Sequence, residues 1–257
     1  MVTSGTGRDA MVLAERAWPD AGDGILVVPL GACEQHGAHL PFGTDTMVAG
    51  ALAGRVAAAR GDAVVAPALP YGASGEHAGF AGTLSIGVDA LRTVIVELVR
   101  SADAFAGVVL VSAHGGNSLA VNDAVSLLES EGRRVLAWSP SAASAAEAAG
   151  RPADAHAGFV ETSVVLALDA GLVRAGRAAA GDTRPLSAIL PALRDGGVGA
   201  VAPNGVLGDP AGATAEAGVK ILDAWTTDLL AALESWSPRP PAGPSPGGSV
   251  AVAGGAG

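Results

Sequence analysis

The sequence predicts an α/β domain built on a largely parallel sheet with helices on both faces. Three observations carry that prediction. Short, continuous apolar runs recur along the chain and read as strands buried on both sides. Stretches with helical spacing lie between them, so strand, loop and helix repeat in order. The 257 residues are 49% hydrophobic and 16% charged, enough to bury one substantial core.

The elements follow in order. Residues 1–20 read as a loose lead-in. ILVVPL (25–30) is the first strand, followed by a polar loop and an Ala-rich helix from about Asp45 to Arg60. AVVAPAL (63–69) is the second strand. A Gly-rich loop leads to a helix near 88–105, in which Leu91, Val94, Ile95 and Leu98 share a face. GVVLVS (107–112) is the third strand, and a helix near 118–131 follows it. RRVLAW (133–138) is the fourth, and ETSVVLALD (161–169) reads as a helix. The domain is expected over 21–236. From Ser237 the chain runs SPRPPAGPSPGGSVAVAGGAG. Such a segment buries too little side chain to offset its ordering entropy, so a disordered tail is expected over 237–257.

Composition removes several classes of function. The net charge is −10, and no basic cluster interrupts it, which argues against a nucleic-acid binder or a protein held on a membrane surface. The single cysteine, Cys33, rules out an internal disulfide and a Cys-rich zinc module. No apolar run reaches the roughly 18 residues of a membrane span. The opening MVTSGTGRDAMVLAERAW lacks a basic-then-apolar signal pattern, so a cytoplasmic protein is expected. Neither GxGxxG nor a Walker GK[ST] pattern is present, which removes the support for a nucleotide cofactor.

The chemistry is concentrated in five histidines: His36, His39, His77, His114 and His156. Each lies in a Gly-rich loop or just past a strand end. In parallel sheets those loops line the ligand crevice. Cys33-Glu34-Gln35-His36-Gly37-Ala38-His39 follows the first strand, and Thr44-Asp45 opens the next helix. Glu34 and His36 project from one side of an extended segment. With Asp45 they form a plausible set for a divalent ion, and the carboxylate of Asp45 has two oxygens with which to bridge two ions. The plain alternative is that Asp45 or Thr44 caps the helix.

His114 sits in Ser112-Ala113-His114-Gly115-Gly116-Asn117, after the third strand, as a further ligand or as a solvent-facing ring in an ordinary turn. Asp154-Ala155-His156 precedes Glu161. That carboxylate is either a first-turn residue favoured by the helix dipole or a metal ligand, and His156 suits proton transfer to a leaving group. Ser74, Glu76 and His77 stand in a long loop that reads as a substrate-facing wall or as a mobile surface segment. A thiol nucleophile at Cys33 is the rival chemistry, but a free Cys closing an apolar strand is more often a small buried residue.

At these residues the chain resembles the creatininase family of metal-dependent amidohydrolases. The likeness lies in VPLGACEQHGAHLPFGTDT (28–46), YGASGEHAGFAGTLSIG (71–87), LVSAHGGN (110–117) and DAHAGFVETS (154–163), and it runs from about residue 24 to 235. The resemblance implies a single three-layer domain, a mixed, mostly parallel sheet between helices. It also implies two divalent metal ions per subunit, of zinc, iron or manganese. Glu34, Asp45 and His114 would hold one ion, and His36 and the bridging Asp45 the other. Creatininase has a Glu two residues after the His that matches His114. This chain has Gly116 there, and Glu161 is the candidate to complete the second site. Ala38, Ser112-Ala113 and Phe159 also depart from the usual pattern without removing a proposed ligand.

The resemblance further implies that His156 and Glu161 are catalytic and that Ser74, Glu76 and His77 contact substrate. Cys33 before the first Glu, the YGASGEH loop, DAHAG and VLGDPAGATAEAG (206–218) resemble a branch of peptidases in the family. Their substrate is the modified C-terminus, originally Val-Tyr, of a ribosomally made precursor peptide. A homo-oligomer, by resemblance a hexamer, is expected as well. The rivals are a family amidohydrolase acting on a cyclic amide or formamide, and a non-catalytic partner that binds the peptide.

Overall fold

The computed structural model describes residues 11–236. Five strands form one sheet: β1 (Met11–Val12), β2 (Ile25–Leu30), β3 (Ala63–Val65), β4 (Gly107–Ser112) and β5 (Val135–Trp138). Their order is β1-β3-β2-β4-β5, and each pairing is parallel. The antiparallel component expected of a mixed sheet is confined to isolated bridges such as Cys33–Leu84 and His156–Leu207.

Every residue of β2 and β4 is buried, and their side chains alternate between two cores. Ile25, Val27, Val109 and Val111 meet the layer of α1 (Thr44–Arg60), α5 (Phe159–Asp169) and α7 (Ala215–Ser235). Leu26, Val28, Val108 and Leu110 meet α2 (Val88–Arg100) and α3 (Ser118–Ser130) on the other face. This period of two is why continuous apolar runs, rather than alternating ones, build the sheet.

Pro29 lies within β2, although a proline cannot donate to a ladder. Its carbonyl accepts from Leu69 N–H on the β3 side, where β3 has already ended at Val65. The missing donor therefore breaks no pairing. The second strand, expected to reach 69, stops at Val65, and Pro67 explains why the run cannot continue as a regular ladder.

α1 ends where Gly61 adopts φ 72° and its N–H bonds Ala57 O at 3.1 Å, a left-handed cap that suits glycine. The helix expected to 105 ends at Arg100. Three helices lie outside those read from the sequence: α4 (Ala142–Ala149), α6 (Leu186–Val201) and α7. α6 contains Pro191 and bends at Gly197, where φ is 69° and ψ −174°. Its Ile189 and Val198 sit in a small separate cluster with Ala202 and Leu207. Part of the lead-in is structured, since Met11 and Val12 pair with Val64 and Val65 at the sheet edge. The expected tail over 237–257 lies outside the described residues. No helix of the described residues is long and apolar enough to cross a membrane.

Candidate metal centre

The strand order reverses direction at β2 and β4. The chain leaves β2 toward β3 on one side and leaves β4 toward β5 on the other. Such a switch opens a crevice beyond the carboxyl ends of the two strands. Glu34 and His36 come from the loop after β2, and His114 from the loop after β4. Asp45 stands in the first turn of α1 and Glu161 in the first turn of α5. His77 arrives from the 71–87 loop and His156 from the segment before α5. All seven converge.

Asp45 is shared between two groups of donors. Its Oδ1 lies 3.3 Å from His36 Nε2, and its Oδ2 lies 3.8 Å from His114 Nδ1. His114 Nε2 is 3.1 Å from Glu34 Oε2, and His36 Nε2 is 3.9 Å from Glu161 Oε2. Glu34–Asp45–His114 and His36–Asp45–Glu161 each bring one donor atom apiece within 4.8 Å of the others, as do Glu34, His36 and His156. Glu34, His36, Asp45 and His114 are all buried.

Hydrogen bonds fix how the rings are turned. A carbonyl only accepts, so His36 Nδ1–H donates to Glu34 O at 3.1 Å and leaves Nε2 to face Asp45. His156 Nε2–H donates to Gln35 O at 2.8 Å and leaves Nδ1 3.8 Å from Glu34 Oε1. The Gln35 side-chain amide donates to His77 Nδ1 and to Gly205 O, each at 2.9 Å. His77 therefore carries its proton on Nε2, 3.3 Å from Glu34 Oε1.

The charges are strongly coupled. Burial opposes ionisation of Glu34, but His114, His77 and His36 outweigh it and hold the carboxyl below the usual range. Burial would lower His36, yet Asp45, Glu161 and Glu34 push it up to about 10. His114 rises to about 9 against its own burial, through Glu34, Asp45 and Glu76. Burial pushes Glu161 up to about 7, with His36 opposing. Burial takes His77 down to about 4 and His156 well below its ordinary value.

This donor set fits a divalent cation. Both oxygens of Glu34 and Oδ2 of Asp45 are buried without a hydrogen-bond partner. Histidine ring nitrogens lie 3.1–3.8 Å from them, and a divalent cation would supply the contacts these oxygens lack. Carboxylate oxygens and neutral imidazoles are the ligands that zinc, iron and manganese take.

The remaining expected residues are placed less alike. Glu76 lines a cavity of about 860 Å³ together with Glu34, His77, His114 and His156, and its Oε1 is 3.7 Å from His114 Nε2. Ser74 is fully buried, Oγ 3.4 Å from His114 Nε2, and the cavity wall begins at its neighbour Gly75. Cys33 Sγ is 3.9 Å from Gly82 O. Gln35 was not singled out in the sequence, and its place between Glu34 and His36 was the available signal. Asp154 was also missed as an anchor. Its carboxylate accepts from Phe159 N–H and, at 3.2 Å, from Val160 N–H, which caps α5 and orients Glu161. His39, among the five histidines, is buried with Nε2 3.0 Å from Thr162 Oγ1 on α5.

The family model described as creatininase, creatinine amidohydrolase, matches residues 13–233. The chain belongs to the creatininase family. It is 44% identical over 232 residues to the mycofactocin precursor peptide peptidase of Mycobacterium ulcerans (strain Agy99), covering 87% of this chain and 88% of that one. The protein of the same name from Mycobacterium tuberculosis (strain ATCC 25618 / H37Rv) is 45% identical over 225 residues, covering 84% and 86%. Creatinine amidohydrolase of Pseudomonas putida is 33% identical over 116 residues, covering 42% and 44%. Among solved structures, a crystal structure of creatinine amidohydrolase superposes with a TM-score of 0.73 at 26% identity, over 89% of this chain and 99% of that one. A creatininase described by its manganese gives 0.70 at 26% identity, over 89% and 100%.

Within this family, Gly116 has a physical reason. A Cβ at that position would collide with Ala73 O, Glu76 Oε1 and His114 Nε2. The space beside His114 is already taken by Glu76, and a Glu161 oxygen lies 3.9 Å from His36 Nε2.

Proposed function

We propose that this chain is a metal-dependent peptidase that removes the modified, Val-Tyr-derived C-terminal unit from the mycofactocin precursor peptide. The observation that carries the hydrolase reading is the sharing of Asp45 between two donor groups at the buried end of the sheet. The precursor-peptide substrate rests on the names of relatives that match more than four-fifths of the chain at 44–45% identity.

Glu34, Asp45 and His114 would hold one ion, and His36, Asp45 and Glu161 a second, of zinc, iron or manganese. When bound, such ions polarise the scissile carbonyl, acidify water and balance the charge that develops on oxygen. The chain supplies the rest. Gln35 fixes the rings of His77 and, through its backbone carbonyl, His156. With its Nε2 proton committed to that carbonyl, His156 accepts a proton at Nδ1 and returns it to the leaving amine. Glu76 and His77 line the cavity in which substrate lies, and Ser74, proposed with them to contact substrate, is buried beside His114. The proposed catalytic domain is 21–236, in a cytoplasmic homo-oligomer, a hexamer by family likeness.

The test is direct. Metal-loaded protein is incubated with the modified precursor peptide, and the products are weighed by mass spectrometry. A peptide shortened by the modified two-residue unit is the expected result. Hydrolysis of creatinine instead would move the chain to the cyclic-amide branch, and binding without cleavage of either would make it a non-catalytic partner.

A further inference from the structure

Two cavities reach the centre from different walls. The larger, about 860 Å³, touches Glu34 and Glu76. The smaller, about 230 Å³, touches Asp45 and Glu161. Both are lined by His114, Gly115, Ser118, Ala155 and His156. The segment carrying Ala155 and His156 is pinned where they flank the two spaces. Their N–H groups both bond Leu207 O, at 2.9 and 3.1 Å, and Leu207 N–H returns to His156 O at 2.9 Å.

The two spaces differ in size and in the bulk of the side chains that line them. Leu186, Leu190 and Leu193 of α6 form one wall of the larger space, with Leu207 beside them. Leu186 and Leu190 are a helical turn apart and share a face. Leu186 is 49% exposed, and neither residue belongs to any of the buried clusters that make up the cores. Ile189, between them in sequence, turns into the small core instead. Charges lie only at the far end of this wall, at Arg194 and Asp195, and in the centre itself. The smaller space has a mixed lining of small side chains, with Ser112, Ser139 and Asp154 among alanines and the Trp225 side chain. It falls below the roughly 300–1,000 Å³ of pockets that enclose a whole small ligand. A small cyclic amide would need one space; a chain cut in its interior needs two.

We infer that the substrate peptide lies across the centre with its flanks in different cavities: a bulky apolar residue against Leu186 and Leu190, and a run of small residues in the narrow space beside Ser139 and Ala142. The inference rests on the peptidase reading and adds to it which side chains select the substrate. Leu186 and Leu190 are the specificity-determining residues on one flank. Narrowness selects on the other.

The experiment has two arms. In the first, a short glycine- and alanine-rich peptide ending in p-benzoylphenylalanine is photolysed with the metal-loaded protein, and the labelled residues are mapped. Label on Leu186, Leu190 or Leu193 is expected. Label on 139–155, elsewhere or nowhere overturns the inference, and this arm needs no turnover. In the second, cleavage of the modified precursor is compared with that of its C-terminal unit capped by acetyl alone. Ala142→Trp, an exposed position at the small cavity, is expected to lower the long-to-short ratio of kcat/KM about tenfold or more. Leu190→Asp, with Leu186→Asp as a second variant should the first fail to fold, is expected to slow both substrates. An unchanged ratio in Ala142→Trp overturns the two-cavity path. Wild-type protein that cleaves neither substrate overturns the peptidase reading, and the label map then still decides where a bulky apolar residue binds.

Discussion

Ala157 donates its backbone N–H to Glu161 Oε2 at 2.6 Å from a left-handed conformation, φ 52°, that non-glycine residues adopt at a cost. The same oxygen lies 3.9 Å from His36 Nε2 and 3.9 Å from His156 Nδ1. The strained turn therefore holds one carboxylate oxygen at the helix entry and aims it at two rings of the centre. Glu161 serves the start of α5 and the site through the same oxygen.

Those two roles separate in Glu161→Gln. The amide oxygen still accepts from Ala157, so the thermal unfolding midpoint should stay near wild type. The charge is gone, and metal content should fall from about two ions per chain to about one. Glu161→Ala should lose metal and also about 1 kcal/mol of stability with the helix-entry bond. Full metal retention in Glu161→Gln would reduce Glu161 to a cap.

Asp45 faces both donor groups, so its replacement should act on both. Asp45→Asn keeps the shape and the start of α1 but removes the charge that two ions would share. Elemental analysis should find both ions depleted, with far-ultraviolet circular dichroism unchanged. Retention of one full equivalent would mean that Asp45 serves a single ion.

How much of this arrangement was legible depends on how far apart in sequence its partners lie. Glu34, His36, Asp45 and His114 each follow a strand directly or open the next helix, so the rule that ligands gather at strand ends was enough to find them. Gln35 became meaningful only when folding brought His77, His156 and Gly205 to it. No local pattern records those contacts. α7 carried a readable signal, since Thr214 caps it and Ile221, Leu222, Trp225, Leu229 and Leu233 turn one face inward. α6 did not, because Pro191, Gly196 and Gly197 interrupt its period and its buried cluster is small. The two residues of β1 are too few to show any period at all.

The thiol can be set against the metal by a pair of treatments. Cys33 Sγ contacts Gly82 O, at 3.9 Å, and lies in none of the donor groups. Cys33→Ser should keep most activity, while a chelator should abolish it and added metal restore it. Activity that survives chelation but dies with the thiol would falsify the metal mechanism.

Loading the centre should release protons. With His36 at about 10 and His114 at about 9, both rings are protonated in the metal-free protein at neutral pH. A ring must be neutral to give its lone pair to a cation, so about two protons leave per chain loaded. The sign follows: below these values, raising the pH removes the competing protons and tightens binding. Between about pH 7 and 8 the affinity for each ion should rise by about one decade, and the overall constant for loading both by about two. Glu161, at about 7, adds to the slope as the pH falls through that value. Calorimetry in buffers of different ionisation enthalpy counts the protons directly, and release of none would mean that these rings do not bind metal.

His156 is the ring whose role the geometry constrains most tightly. Its Nε2 proton is committed to Gln35 O at 2.8 Å, and burial keeps the ring neutral. It therefore cannot begin as a charged acid. It can take a proton at Nδ1, which faces Glu34 and Glu161 at 3.8 and 3.9 Å, and then pass it to the leaving amine. Proton transfer by a placed side chain contributes about 10²–10⁴-fold, or about 3–5 kcal/mol of barrier. His156→Ala should lose that factor while metal content stays near wild type. The loss should shrink for substrates with a better leaving amine, which need protonation less. A ligand role predicts otherwise, because Glu34, His36 and His156 also form a possible donor group. Metal would then fall along with rate, and good and poor leaving groups would suffer alike. In that case the proton would have to come from the cavity side, where Glu76 is the carboxyl to replace next.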